Sequence, residues 1–291
     1  MIKTQTRTMV KVVITALLAV CALWANNDLD RANRLFRQTD FNGALEILTK
    51  TEPKAGPVYE LMGRCYFMTG EFKRATEAFE KALGLEPTNS NYALWLGRSY
   101  GRRAETANPF SAPGLASKAR RGFELAVELN PRNLEAVNDL FEYYLEAPGF
   151  LGGGLDKATA LAEKINQLDP VEYHYALAKI AEHRKDYSVA EDQLRRAVDL
   201  APKQIGRFID LAKILYKQGK VQEGEAAFAQ AEKIAPNSPK LMFARANAYI
   251  HAKRNLDEAR VLLNKYLKAP LTADDPPREE AQRLLRQASG S

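Results

Sequence analysis

The residues that could do chemistry are few, and their spacing is unhelpful to it. His174, His183 and His251 are the only histidines. His174 and His183 stand nine apart, not the three or four that put two metal ligands on one helix face. His174 falls on a core position and reads as a hydrogen-bonded packing residue. No Ser-His-Asp arrangement is readable. The run Gly149-Phe150-Leu151-Gly152-Gly153-Gly154 invites a phosphate-loop reading, but Leu155 and Asp156 follow where Lys-Ser or Lys-Thr is required. It reads instead as a lengthened turn. Carboxylates are abundant and are expected at solvent positions of helices. These residues imply no catalytic centre, metal or cofactor, and the chain is expected not to be an enzyme.

The elements that carry these residues are set by proline and by apolar spacing. Pro53, Pro87, Pro131, Pro170, Pro202 and Pro236 each close an apolar stretch, at separations of 34, 44, 39, 32 and 34 residues. Within one period Tyr59, Met62, Gly63 and Tyr66 fall on one helix face, Gly70 breaks the helix, and Ala75, Phe79 and Ala82 fall on a second helix stopped by Pro87. The frame recurs as Leu96, Gly97, Tyr100, then Ala119, Phe123, Ala126. It continues with Val137, Leu140, Tyr144, then Ala158, Ala162, Ile165. Next come Leu177, Ala178, Ala181, then Ala190, Leu194, Ala197. The fifth is Phe208, Leu211, Ala212, Leu215, then Gly224, Phe228, Ala231. Weaker units flank these, one with Ala32, Leu35, Ala44 and Leu48, the other with Met242, Ala246, Tyr249, Ala259 and Leu263. Such a unit cannot bury its apolar face alone, so stacking must supply the core. Gly63, Gly97, Ala75 and Ala119 let paired helices approach, and Phe79, Phe123, Leu194 and Phe228 fill the gap to the next pair.

This pattern resembles the tetratricopeptide repeat. The resemblance implies an all-α, right-handed superhelical solenoid of antiparallel helix pairs. About seven units are expected near 27–54, 56–89, 90–132, 133–171, 172–203, 204–238 and 239–272, in a single domain over 26–291. A polar capping helix at 277–287 follows, its N-cap and first-turn proline supplied by the stretch Thr272 to Pro277. In this family the first helices of the units line a concave face that binds a protein or peptide. The positions implied are Asn33, Arg64, Arg98, Glu142, Lys179, Lys213 and Asn247, with Phe67, Arg102, Asn138, Tyr175, Tyr216 and Lys217 beside them. That face is basic with aromatics, interrupted by Glu142, and like charges gathered in a groove attract anions; an acidic partner segment is expected. The paired Lys and Asn that grip a C-terminal carboxylate in some relatives are not reproduced, because Glu60, Leu94, Asn138, Tyr175 and Ile209 occupy the lysine column. The insertion from Gly101 to Ser117 is expected as a loop, since two prolines and a glycine oppose helix there, with Phe110 folded back onto the core.

Composition fits this reading. Hydrophobic residues make up 46% and charged residues 27%, an ordinary globular balance that argues against disorder. The N-terminus is different: Lys3, Arg7 and Lys11 precede an uncharged apolar stretch from Val12 to Trp24, ended by small residues Ala22 or Ala25. That is the layout of a secretory signal over 1–25, and thirteen residues are too few for a comfortable span. An uncleaved anchor, or lipidation at Cys21 despite Val20 before it, are the alternatives. Removing 1–25 takes 42 basic residues to 39 against 36 acidic ones, so the net charge falls from +6 to +3. So mild a balance gives nucleic-acid binding no support. Cys65 is then the sole cysteine and, on a helix beside core positions, reads as packing. The expectation is a non-catalytic interaction scaffold of the bacterial cell envelope, periplasmic or secreted, or else an accessory subunit of an envelope enzyme or outer-membrane assembly complex. Mass spectrometry of the native protein is expected to find an N-terminus near Leu23 or Asn26; an intact Met1 in a cytosolic fraction contradicts export.

Overall fold

The computed structural model describes residues 27–272, 275–276 and 278–290. The signal over 1–25, Cys21, and the cap positions Ala273, Asp274 and Pro277 lie outside them. Among the described residues there are fifteen α-helices, one 3-10 turn and no strand, the all-α arrangement that the repeat pattern implies. Helix α1 covers residues 27–37. It is followed by α2 (Phe41–Lys50), α3 (Gly56–Met68), α4 (Phe72–Leu85), α5 (Ser90–Thr106), α6 (Ala112–Leu129), α7 (Leu134–Glu146), α8 (Leu155–Asn166), α9 (Pro170–His183), α10 (Tyr187–Leu200), α11 (Ile205–Lys217), α12 (Val221–Ile234), α13 (Pro239–His251), α14 (Leu256–Lys268) and α15 (Arg278–Ala288). The chain gathers into two compact units, one ending at Leu129 and one beginning at Asn130.

Short polar side chains start the helices. The side chains of Asp40, Asn89, Asn133, Asp169, Asp186 and Ser238 accept from free N–H groups of the first turn. The turn inside a helix pair is also repeated. Thr39, Gly70, Lys185, Gly219 and Lys253 all have positive φ. In each case the next residue donates its N–H to a carbonyl five residues back, as in Asp40 to Leu35, Glu71 to Tyr66, Asp186 to Ala181, Lys220 to Leu215 and Arg254 to Tyr249. This is the six-to-one bond of a left-handed helix stop. Glycine takes that conformation freely at positions 70 and 219; Thr39, Lys185 and Lys253 adopt it at a steric cost.

Three expectations are corrected. The insertion at 101–117 is not a loop: it lengthens α5 to 17 residues and α6 to 18, leaving a short tip between Thr106 and Ala112. Pro113 and Gly114 fall in the first turn of α6, where proline removes no helical bond. Phe110 does not fold back; it stands 98% exposed on that tip, beyond the reach of the core. Pro170 does not close a unit but opens α9 as its first residue after the Asp169 cap. The Gly149–Gly154 run does form a lengthened turn, a 3-10 segment over Gly149–Leu151 with Gly152 at φ 87°.

Packing follows the repeat register. In the first unit Ala44, Leu48, Leu61, Cys65, Ala75 and Phe79 share one buried cluster. Burial pushes the Cys65 thiol up to about 12, which makes it a packing residue with little thiolate. Glycine is required where helices close on one another: a Cβ on Gly97 would meet the Phe123 ring at 2.7 Å, and one on Gly122 would meet the Gly97 backbone at 2.7 Å. In the second unit Leu194, Ile209, Leu215 and Phe228 form one cluster, and Tyr249, Leu263 and Tyr266 form another that α15 covers with Ala281, Leu284 and Ala288. Phe79 and Phe228 are both 0% exposed. Either one changed to Ala is expected to lower unfolding stability by about 3–5 kcal/mol, measured by denaturant titration; a change within error contradicts this register.

Candidate functional site

In the second unit, the first helices of successive pairs, α9, α11 and α13, line a groove of about 660 Å³. Helical spacing places Tyr175, Lys179 and Glu182 along α9, Asp210, Lys213 and Lys217 along α11, and Asn247 and His251 along α13. Leu194 and Ile214 are buried beneath the groove as its floor, and the small Ala178, Ala244 and Ala248 keep its walls low. Six of the positions implied by the resemblance therefore meet in one place: Tyr175, Lys179, Lys213, Tyr216, Lys217 and Asn247. Asn138 and Glu142, on α7, join them through α9. The Tyr175 hydroxyl donates to Glu142 at 3.3 Å, and Asn138 donates to Glu172 at 3.4 Å.

Sequence reading missed the acids that accompany the lysines. Lys179 lies 3.8 Å from Glu182, Lys213 lies 3.5 Å from Asp210, and Lys217 also pairs with Glu182. It also missed Arg207, which is buried, donates to Glu172 at 2.7 Å and to Asp210 at 3.4 Å, and lies 4.3 Å from the Tyr175 ring centre. The signal was available: Arg207 and Glu172 are of opposite charge and 35 residues apart, about one repeat. Tyr216 is fixed from behind. Its hydroxyl donates to Glu225, which also accepts from Arg245 at 2.6 Å and Tyr249 at 3.1 Å. Gly224 leaves room for the ring, since a Cβ there would meet Tyr216 at 2.6 Å.

The titration of the site follows from crowding and charge. Enclosure by protein raises Glu142 above the ordinary carboxylate range, opposed by Lys179 and the Tyr175 hydrogen bond and reinforced by Asp139 and Asp210. Burial raises Tyr175 as well, with Asp210 and Glu142 adding to it. Both groups keep hydrogen-bonding protons more readily than they would in water.

The first unit carries Asn33 on α1, Arg64 on α3, and Arg98 and Arg102 on α5. Here the arginines lie on rings. Arg64 sits 4.8 Å from the Phe36 ring centre and 5.3 Å from that of Trp95, Arg98 sits 4.9 Å from Trp95, and Arg102 sits 5.1 Å from Phe72. Phe67 meets Trp95 edge-on at 5.4 Å. Arg64 pairs with Glu60 at 3.4 Å and Arg102 with Glu105. Trp95 links Arg64 and Arg98 and was not singled out from sequence. Its place three residues before Arg98 on α5 was the available clue.

Carboxylates do not all sit in solvent: Glu191 is 7% exposed, behind the groove. It accepts from Arg195 at 2.7 Å, Gln218 at 2.8 Å and Lys220 at 2.7 Å, because it faces the turn between α11 and α12. His174 is half-buried and satisfied by Gln193 at 2.7 Å. Among the described residues no group of three His, Cys, Asp or Glu is placed to hold a metal, and no helix is long and apolar enough to cross a membrane.

Comparison with known proteins bears on the repeat and the fold. Residues 57–89, 155–205 and 209–276 match the tetratricopeptide repeat. A stretch of 61 residues, 20% of the chain, is 39% identical to anaphase-promoting complex subunit 3 of Dictyostelium discoideum and spans 6% of that protein. A tetratricopeptide repeat protein from Parabacteroides merdae superposes with a TM-score of 0.62 at 15% identity, covering 91% of this chain and 98% of the other. A thermophilic TPR protein of Thermus thermophilus superposes with a TM-score of 0.54 at 20% identity, covering 66% of this chain and 98% of the other. At these identities the two structures speak for the fold.

The pocket of cations around Glu191 generates a pH test. Burial by itself raises this carboxyl, but hydrogen bonds from Lys220, Arg195 and Gln218, with the charge of Arg195, pull it from 4.5 down to about 2. A lowered folded value contributes stability above pH 4.5, lost as pH falls toward 2. Glu191→Gln is expected to cost about 2 kcal/mol at neutral pH and progressively less as the medium is acidified below the ordinary carboxylate range, read from urea midpoints of both proteins at several pH values.

Proposed function

The chain belongs to the tetratricopeptide repeat family, and from that premise we propose that it is a non-catalytic scaffold of the cell envelope whose second unit holds an acidic segment of a partner protein between α9, α11 and α13. The repeats themselves imply protein–protein interaction. The observation that carries the finer reading is the convergence of Lys179, Lys213 and Lys217 on one groove whose contactable apolar surface is supplied by the partly buried rings of Tyr175 and Tyr216. Aromatic surface supplies contact area, and the charged heads supply register.

Three lysines face two carboxylates in this lining, so the groove keeps one surplus positive charge. The Lys179 and Lys213 pairs, at 3.8 and 3.5 Å, are longer than a charge-assisted hydrogen bond. Pairs of this kind contribute little in water, and a ligand carboxylate can replace the intramolecular one at small cost. Glu142, next to Tyr175, supports a basic residue within the ligand. Export is supported by Lys3, Arg7 and Lys11 ahead of the apolar stretch Val12 to Trp24.

The groove is tested at Lys213 and Lys217, whose side chains are 46% and 50% exposed. Arg64 and Arg98 suit the test less well, because their guanidinium groups lie against Phe36 and Trp95. Reversing both lysines to Glu is expected to weaken capture of the partner from envelope extracts roughly tenfold or more, with an unchanged unfolding midpoint. Capture that survives with its salt dependence intact contradicts the groove as the binding surface.

A further inference from the structure

A second face of the first unit carries what the groove of the second unit lacks, namely a recess whose lining holds cations and no acids. The end of α5, the start of α6 and the start of α4 border an open recess of about 600 Å³. Phe72 and Leu115 give it apolar surface, and Lys73, Arg103 and Lys118 give it charge; its lining contains no Asp or Glu. Lys118 reaches the Tyr100 hydroxyl at 3.5 Å, its ammonium 5.0 Å from that ring's centre, and Arg103 lies 5.5 Å from the same centre. The same Tyr100 hydroxyl donates to Glu80, so one carboxylate lies behind the ring, outside the lining, and Lys73 and Arg103 have no carboxylate within the lining.

Phe110 stands at the edge of this recess, in the tip between its lining residues Ala107 and Ser111. The tip is held: Asn108 Oδ1 accepts from the backbone N–H of Phe110 at 3.1 Å and of Ser111 at 3.0 Å. An ordered turn thus presents an exposed large ring beside gathered like charges. Exposed apolar surface and a concentration of cations both favour a complementary partner.

The geometry points to a second docking surface, separate from the groove, that takes an acidic segment of a partner protein. The partner's carboxylates meet Lys73, Arg103 and Lys118, and an apolar side chain of the partner packs on Phe110. Charge complementarity chooses the sign. The choice of a protein segment over a lipid surface rests on the proposed function, since the repeats imply protein–protein interaction.

A photo-reactive phenylalanine analogue placed at position 110 tests this in the full chain. The probes are a labelled peptide rich in glutamate and leucine, the same peptide with lysine for glutamate, and vesicles of phosphatidylglycerol carrying a labelled lipid. The acidic peptide is expected to crosslink and the basic one not to. Joint reversal of Lys73, Arg103 and Lys118 to Glu is expected to lower the yield roughly tenfold or more, with high salt having the same direction. Reversal of Lys213 and Lys217 leaves the yield unchanged, which separates this surface from the groove. Phe110→Ser, in a chain without the analogue, is expected to weaken binding of the acidic peptide severalfold with an unchanged circular dichroism spectrum. No crosslink, a yield indifferent to the three reversals, or crosslinking to the vesicles alone each overturns the proposal.

Discussion

Everything in this molecule depends on how closely the two helices of a pair approach. No single pair has enough apolar surface to enclose itself, so each must present a continuous face to the next. The approach is set by absent side chains as much as by present ones. Gly97 and Gly122 bring α5 against α6, with the Phe123 ring where a Cβ would otherwise stand. Gly63 plays the same part for Phe79, and Gly224 for Tyr216. Once that spacing is set, Phe79 and Phe228 are fully buried, and the opposite face of each first helix is left to carry polar groups.

Those polar groups are organised by the same period. In the second unit Glu142 meets Tyr175, Asn138 meets Glu172, Glu172 meets Arg207 and Glu182 meets Lys217. The partners are 33 to 35 residues apart, one repeat, because stacked first helices bring equivalent positions side by side. A column of bases read from the sequence therefore overstates the positive charge of the groove. In the first unit the arginines are handled differently, laid on Phe36, Trp95 and Phe72, where the ring faces offset part of the charge. The lysines of the groove remain movable, whereas the arginines double as packing.

Where the chain departs from the period, it leaves its most unusual surface. The longest pair, α5 and α6, lacks the left-handed turn that closes five other pairs and ends in a tip that projects Phe110. In the pair α7 and α8 the left-handed turn comes after the 3-10 segment instead of directly after the helix, at Gly152 with Gly153 bonded to Pro148, and Gly153 has room for no side chain against Ala147. Extra residues in a stacked fold cannot enter the core without breaking the register of every later pair. They are pushed outward, and an outward segment is free to meet a partner.

The repeat register was legible because apolar residues at helical spacing recur with a fixed period, and burial acts on each position in the same way. The residues Ala75, Phe79, Leu194, Ala212 and Phe228 could be assigned to the core from that alone, as could the glycine stop at 70. The tertiary structure decided what depends on neighbours a repeat away. It decided that Glu191 is buried among Arg195, Gln218 and Lys220, that Arg207 holds Tyr175, and that each groove lysine has a carboxylate beside it. It also decided that proline at 113 begins a helix and that Phe110 faces solvent. Periodicity specifies a residue's place on its own helix, but the local field, the partner and the fate of an insertion depend on distances between helices, which one-dimensional spacing does not contain.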